Sequence, residues 1–388
     1  MAKVFKDPFL VVIDIGTTKI CTMVARVLNN EDIELMAVAS SPSDGLKKGV
    51  VVDIQKTVSS IKKSIFEAEF ISGIKIEHAT IGISGSHIQS FNSHGAVPIK
   101  GKEVKSFDVT NVLNSASAIS IPEGQQILHV VPQFYAVDGQ DKILDPLGMY
   151  GVRLESWVHI VTGSIATVQN LINCCQLAGV TVSDVILEQL ASAESVLTKD
   201  ERELGVAVID IGGGTSDFAL YHHGALKHTY VIPSAGNHLT QDVAIGFNIT
   251  LAEAEKLKHE IYSLSQDAHD YVRAIVRARA QEIFTIAQAE IRQNNLFVHM
   301  AKGLVLTGGG SLLTGIVEDA QEIFGCKVRL GLPRAAAKME IINHPMYATG
   351  YGLLLLALRE QQSPLHKLSG PVVVKIFSRM RSWLADFF

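Results

Sequence analysis

The sequence predicts an α/β protein built by duplication around a phosphate-binding cleft. Three stretches of the 388-residue chain carry that expectation. In Val11–Val24, two apolar strand-like runs flank the polar insert Asp14-Ile15-Gly16-Thr17-Thr18-Lys19. In Val206–Leu220 the tetrapeptide Ile-Asp-Ile-Gly recurs as Ile209-Asp210-Ile211-Gly212, again between two such runs, followed by Gly213, Gly214 and Thr215. In Gly303–Ser311 an apolar run ends in Thr307-Gly308-Gly309-Gly310-Ser311.

The first insert alone has two readings. Gly beside β-branched residues makes an ordinary hairpin turn. The same residues can also cradle a phosphate: Gly16 admits backbone N–H groups to an anion, Thr17 and Thr18 add donors and Lys19 a positive charge. Asp14 would then help hold the hydrated Mg²⁺ of a nucleotide. The second copy favours the phosphate reading, because it repeats the leading Asp and the hydroxyl after the glycines. Two such turns facing each other could hold one triphosphate from both sides. The third turn, expected to run straight into a helix from Leu312, lets backbone pass close to a flat ligand; a tight turn with Ser311 as N-cap explains it equally well alone.

Composition narrows the class. With 47% hydrophobic and 19% charged residues the chain suits a globular protein of two or more domains. A formal net charge of -5 gives no reason to expect a nucleic-acid partner. Cys21, Cys174, Cys175 and Cys326 show neither CxxC nor zinc spacing, so a reducing cytoplasm is expected. The apolar run from Phe9 is broken by Asp14, unlike a signal peptide, and Tyr351–Leu358 is too short to span a bilayer.

Together the three motifs resemble the actin, Hsp70 and sugar-kinase superfamily. The resemblance implies a duplicated actin-like (ribonuclease H-like) fold, two lobes each on a five-stranded sheet closing on ATP and Mg²⁺. Asp14 and Asp210 would organise Mg²⁺ through water and serve the chemistry. Gly16, Thr17, Thr18, Lys19, Gly212, Gly213, Gly214 and Thr215 would hold phosphates. Gly308, Gly309, Gly310 and Ser311 would border the nucleoside.

Further segments narrow the resemblance to the FtsA family of bacterial cell-division proteins. They are Ile83–Ile88, Ile121–Gly124, Ile127–Gln133 and Pro146–Leu154. Residues 84–162 look like that family's 1C subdomain, which implies contact with neighbouring subunits and later division membrane proteins. The resemblance divides the rest into subdomain 1A (1–83 and 163–198), 2A (199–235 and 303–346), 2B (236–302) and a return helix (347–360).

Between Thr162 and Lys199 helix, strand and helix are expected, with Glu188 opening the second helix. The family usually has Glu-Pro-Leu-Ala-Ser-Ala where this chain has Glu188-Gln189-Leu190-Ala191-Ser192-Ala193, losing a Pro that favours a helix start. Glu188 stands where the superfamily positions the attacking water; a helix-start carboxylate is the plainer reading. Gly236 leads into a helix ending near Phe247, after Ala235 where the family typically has Gly. Thr250 and Glu253 form a capping box. Glu255 and Lys258 match a nucleoside-contacting Glu-x-x-Lys, or form an exposed paired face. A long helix spans roughly Asp267–Arg292 and carries Arg273, Arg277 and Arg279. Late basic residues commonly serve the helix dipole, while the resemblance makes Arg292 a contact for the C-terminal peptide of FtsZ.

After a helix over Met346–Glu360 comes a polar linker, 361–370, and then 371–388, expected as an amphipathic helix. Ile376, Phe377, Met380, Trp383, Leu384, Phe387 and Phe388 share one stripe, with Lys375, Arg379 and Arg381 off it. Such a stripe docks on a partner helix or lies in an anionic membrane surface; the linker, terminal position and crowded aromatics favour the membrane. Taken together, the expectation is an ATP-binding protein with at most weak hydrolysis, a peripheral protein at the division site on the inner face of the cytoplasmic membrane. It would form filaments with itself and tether FtsZ. The alternatives are a small-molecule kinase of the same superfamily and a pilus-associated scaffold.

Overall fold

The computed structural model describes residues 9–28, 32–261, 265–334 and 340–362. The tail and its stripe, Lys375 to Phe388, lie outside the described residues. In the first lobe, β1 (Phe9–Ile15), β2 (Lys19–Val27) and β3 (Ile33–Pro42) form an antiparallel meander. A small hairpin, β4 (Leu46–Lys47) and β5 (Val50–Val51), precedes α1 (Ile54–Ser72), whose N-cap Asp53 accepts from Lys56 N–H. β6 (His78–Ile83) then pairs parallel to β1.

The insert follows: β7 (Gln89–Pro98), α2 (Ser106–Ser117), β8 (Gln125–Val137), β9 (Gln140–Ile143) and β10 (Arg153–Ser164). Its four-stranded sheet has the order β7-β10-β8-β9 and its own core around Val112, Leu113, Tyr135 and Val158. The chain returns through α3 (Ile165–Leu177), β11 (Thr181–Leu187) and α4 (Glu188–Val196), the expected helix, strand and helix.

The second lobe repeats the first. It begins with α5 (Lys199–Leu204), then β12 (Val206–Ile211), β13 (Ser216–His222) and β14 (Ala225–Ile232). α6 (Gly236–Phe247), α7 (Leu251–His259) and α8 (Gln266–Gln293) follow, then β15 (Leu304–Thr307), α9 (Ile316–Phe324) and β16 (Val328–Leu330), before α10 (Ala348–Gln362) returns to pack on α4 and β1 of the first lobe. Its sheet runs β14-β13-β12-β15-β16, and the first runs β3-β2-β1-β6-β11. Each is three antiparallel strands continued by two parallel ones. The duplicated α/β, actin-like expectation is therefore correct.

Local chemistry sets several boundaries as expected. Thr250 and Glu253 make the reciprocal capping box at α7. Ala235 has an extended φ of −166°, which any residue adopts, so the family's Gly is not required there. Two boundaries need correction. The third glycine turn opens a single 3₁₀ turn, Gly309–Leu312, and α9 starts only at Ile316. Ser311 does not cap that helix: its hydroxyl donates back to Gly308 O at 2.7 Å. α10 likewise starts at Ala348, because His344 and Pro345 set up a 3₁₀ turn over Pro345–Tyr347 first.

The first lobe's core gathers Ile13, Ile81, Leu187 and Leu353 between α1 and α3 on one side and α4 and α10 on the other. In the second lobe, the C-terminal half of α8 (Ile283, Phe284, Ala287) packs with Phe324 beneath the sheet, while its N-terminal half (Val272, Val276) packs with Leu239 and Ala254 of α6 and α7. The insert reaches across to β14. Gln133 Nε2 donates to Leu226 O (2.7 Å), Ser90 Oγ to Thr229 O (2.8 Å) and Asn92 Nδ2 to Lys227 O (3.3 Å). The buried His159 lies between Asn92 Oδ1 (2.8 Å) and Thr229 Oγ1 (3.0 Å), and burial pushes its imidazole down to about 3.

Glu194, on α4, is buried among three guanidiniums. Arg202 lies 2.8 Å away, Arg359 2.7 Å and Arg334 3.4 Å. Burial alone would raise its carboxyl, but Arg202, Arg359 and Arg334 together hold it below the usual range.

Candidate functional site

The two duplicated hairpins meet at their tips. Each closes with the same bond, Gly16 N–H to Lys19 O and Gly212 N–H to Thr215 O, both 3.0 Å. A β-carbon on Gly213 would fall on the Thr18 side chain, and one on Gly214 on Thr17. Only glycine permits this approach, so the second loop is glycine-rich where the first presents threonines. Behind the second loop, the head of α6 is tied on: Gly236 N–H donates to Gly212 O (3.0 Å) and Asn237 N–H to Gly213 O (2.8 Å).

Four carboxyl groups cluster below the loops. Asp14 and Asp210 occupy matching positions two residues before Gly16 and Gly212. Asp217 is the direct cross-strand partner of Asp210, and Glu188 stands at the first position of α4. Asp14, Asp210 and Asp217 are all less than 10% exposed. Burial is the largest cause of a raised carboxyl at all four. It pushes Asp14 up to about 6, with Lys19 opposing and Asp210 adding, and Asp217 up to about 7, with Ser84 opposing and Asp210 adding. Asp210 is raised despite bonds from Ser192 and Thr349. Glu188 is raised well above the ordinary range by burial and by Asp14, Asp217 and Asp210. Such a cluster is short of positive charge, and a hydrated divalent cation fits it. Among the described residues no group of three or more His, Cys, Asp or Glu side chains is placed to hold a metal ion directly.

Lys19 is held at the cleft floor: its ammonium donates to Met346 O at 2.5 Å and lies 3.8 Å from Asp14. Gly308 has φ 82°, and a β-carbon there would strike Asp210 Oδ1 and Ile211 O. The third glycine turn therefore passes directly against the second phosphate loop, and Gly309, Gly310 and Ser311 follow it. Glu255 and Lys258 stand beside Gly236. Lys258 donates to Glu255 (2.7 Å), Thr240 (2.8 Å) and Gly236 O (3.4 Å), so all three ammonium hydrogens have partners within the protein.

Arg292 is exposed in the last turn of α8, away from this cluster's contacts. The other basic residues of α8 are engaged locally: Arg273 and Arg277 with Asp319, and Arg279 with Asp242. Sequence reasoning missed Asp217, Ser84, Ser192, Thr349 and Gln189 as cleft residues. Ser192 Oγ and Thr349 Oγ1 donate to Asp210, the latter at 2.9 Å.

Comparison with known proteins agrees with this architecture. A family model described as the SHS2 domain inserted in FTSA matches residues 85–162, and one described as cell division protein FtsA matches residues 207–352. The chain is 42% identical to the cell division protein FtsA of Pseudomonas aeruginosa, covering 93% of this chain and 92% of that protein. It is 34% identical to that of Escherichia coli K12 over the full length of both. Among solved structures, the PilM-PilN type IV pilus biogenesis complex aligns with TM-score 0.67 at 19% identity, over 92% of this chain and 99% of that one. MreB5 of Spiroplasma citri, bound to ADP, aligns with TM-score 0.54 at 16% identity, over 91% and 97%. These two likenesses concern the fold.

Proposed function

Because this chain belongs to the FtsA family of cell division proteins, we propose that it binds ATP with Mg²⁺ between its lobes and works as a polymerising tether for FtsZ on the inner face of the cytoplasmic membrane. The observation that carries the nucleotide half is the pair of facing hairpin loops above a carboxylate cluster. Backbone N–H groups of Thr17, Thr18 and Gly213–Thr215, with the hydroxyls of Thr17 and Thr18, hold phosphate oxygens from both sides, while the Gly16 and Gly212 N–H groups and the Thr215 hydroxyl are engaged within the protein. Asp14 and Asp210 accept hydrogen bonds from the waters of the cation. The metal, when bound, neutralises phosphate charge. Gly308–Ser311 forms the wall for the nucleoside, with Glu255 and Lys258 bracing the loop at Gly236. Glu188 orients the attacking water, and burial beside Asp14, Asp217 and Asp210 makes its carboxyl hold a proton more readily than an ordinary glutamate.

The membrane half rests on the stripe from Ile376 to Phe388 with Lys375, Arg379 and Arg381 beside it. Each apolar side chain contributes about 1.5–3 kcal/mol when fully buried and each basic one about 1 kcal/mol near an anionic leaflet. Ordering the helix offsets much of this. One tail is therefore a reversible anchor, and a filament of tails binds far more firmly by avidity. Arg292 receives the FtsZ peptide, and the insert at 84–162 receives neighbouring subunits and later division membrane proteins.

Co-sedimentation with anionic vesicles tests this reading, comparing the full chain with one ending at Ser363, with and without Mg-ATP. The full chain alone should pellet, cooperatively with Mg-ATP. If both remain soluble, the membrane tether is wrong.

A further inference from the structure

Asp217 belongs to the second lobe, yet two of the three side-chain hydrogen bonds to its carboxyl come from the first. Ser84 Oγ, just after β6, donates to Oδ1 at 2.5 Å. Gln189 Nε2, in the first turn of α4, donates to the same oxygen at 2.7 Å. Thr215 Oγ1 donates to Oδ2 at 3.1 Å from within the second loop. Gln189 is 1% exposed and neighbours Glu188 in the chain. Its other end is unusual: among the described residues Oε1 is buried without a hydrogen-bond partner. A primary amide is both donor and acceptor, and a carboxylate fixes which end faces it. With Nε2 on Asp217, Oε1 is left needing a donor, and an unmet acceptor at this depth costs free energy.

We propose that Gln189 is a positioning residue that spans the cleft, its amide nitrogen latching the first lobe to Asp217 and its amide oxygen accepting a hydrogen bond from water brought in with the nucleotide and its cation. The second half of this assignment rests on the nucleotide reading above; the latch does not. The consequence is a side chain that senses both closure and occupancy. With ligand bound, both ends are satisfied and the lobes are held together. Without ligand, the orphaned oxygen weakens the latch and favours opening.

The test uses the full chain and the variants Gln189→Ala and Gln189→Glu. The glutamate keeps an acceptor but places a carboxyl against Asp217. The first readout is stopped-flow release of fluorescent mant-ADP, with Mg²⁺ and with EDTA. The second is amide hydrogen exchange over residues 212–217 without nucleotide, alongside a melting curve to confirm folding. Release should quicken roughly tenfold in Gln189→Ala with Mg²⁺, the scale of one hydrogen bond to a charged group, and less in EDTA. Gln189→Glu should release at least as fast. Exchange over 212–217 should rise in both variants. Folded variants with unchanged release, or with unchanged exchange, overturn the proposal. If the unaltered chain does not bind mant-ADP, the nucleotide reading falls, and the exchange measurement alone decides the latch.

Discussion

Asp217 and Asp210 face each other across the β12–β13 hairpin, an arrangement that disfavours ionising both. Burial pushes the Asp217 carboxyl from 3.8 up to about 7, with Ser84 opposing and Asp210 adding. A raised carboxyl binds its proton more tightly folded than unfolded. Its contribution is therefore fully present below about pH 4 and lost as pH rises toward 7. Between pH 5 and pH 8 the nucleotide-free protein should lose roughly 2–3 kcal/mol from this group alone. The variant Asp217→Asn has no such proton to lose, although its amide cannot accept from Ser84, Gln189 and Thr215 together, which subtracts a similar amount at every pH. Melting curves of the nucleotide-free chain at pH 5, 6, 7 and 8 should therefore show a flatter pH dependence in the variant. At about 2–4 °C per kcal/mol for a lobe-sized unit, the gap between the two profiles should change by roughly 5–10 °C. An equal or steeper loss in Asp217→Asn would refute the claim that burial raises this carboxyl.

Two further outcomes follow from the same geometry. Glu194→Gln removes the charge that three guanidiniums surround, and urea unfolding should show a loss of about 3–5 kcal/mol at neutral pH. Because that carboxyl is held low, the deficit should shrink as pH falls below about 4. Gly308→Ala places a methyl on Asp210 Oδ1 at a φ of 82°; nucleotide titration by calorimetry should show affinity lowered at least tenfold, and wild-type affinity would mean that the third turn does not abut the second loop.

The duplication was readable because it is local. A leading Asp, a glycine turn and flanking strand-formers specify each hairpin without help from distant residues, whereas the five-stranded sheets were expected only from the family resemblance. Asp217 could have been found by counting register: in a hairpin closed by Gly212 N–H to Thr215 O, the residue opposite Asp210 must be Asp217. Attention on the turn itself hid it. Ser84, Ser192 and Thr349 carry no such signal. They reach the carboxylates across 133, 18 and 139 residues of chain, and only packing of the two lobes brings them there. Gln189 drew notice for the proline it replaces, which says nothing of the bond it makes. The start of α9 was misplaced because Ser311 bonds backward rather than forward, a choice between two local partners that spacing does not decide.

The insert's grip on β14 bears on how such a protein can be re-engineered or can diverge. β14 is the outermost strand of its sheet, and the carbonyls of Leu226, Lys227 and Thr229 find their donors on Gln133, Asn92 and Ser90. The insert is thus a lid on an otherwise adhesive sheet margin. A cassette exchange that swaps 84–162 for a foreign counterpart would have to bring matching polar groups at those positions. Otherwise it would leave a bare hydrogen-bonding rim open to unrelated strands. These hydrogen bonds couple the two segments, though about sixty residues of sequence separate the insert's last strand from the strand it covers.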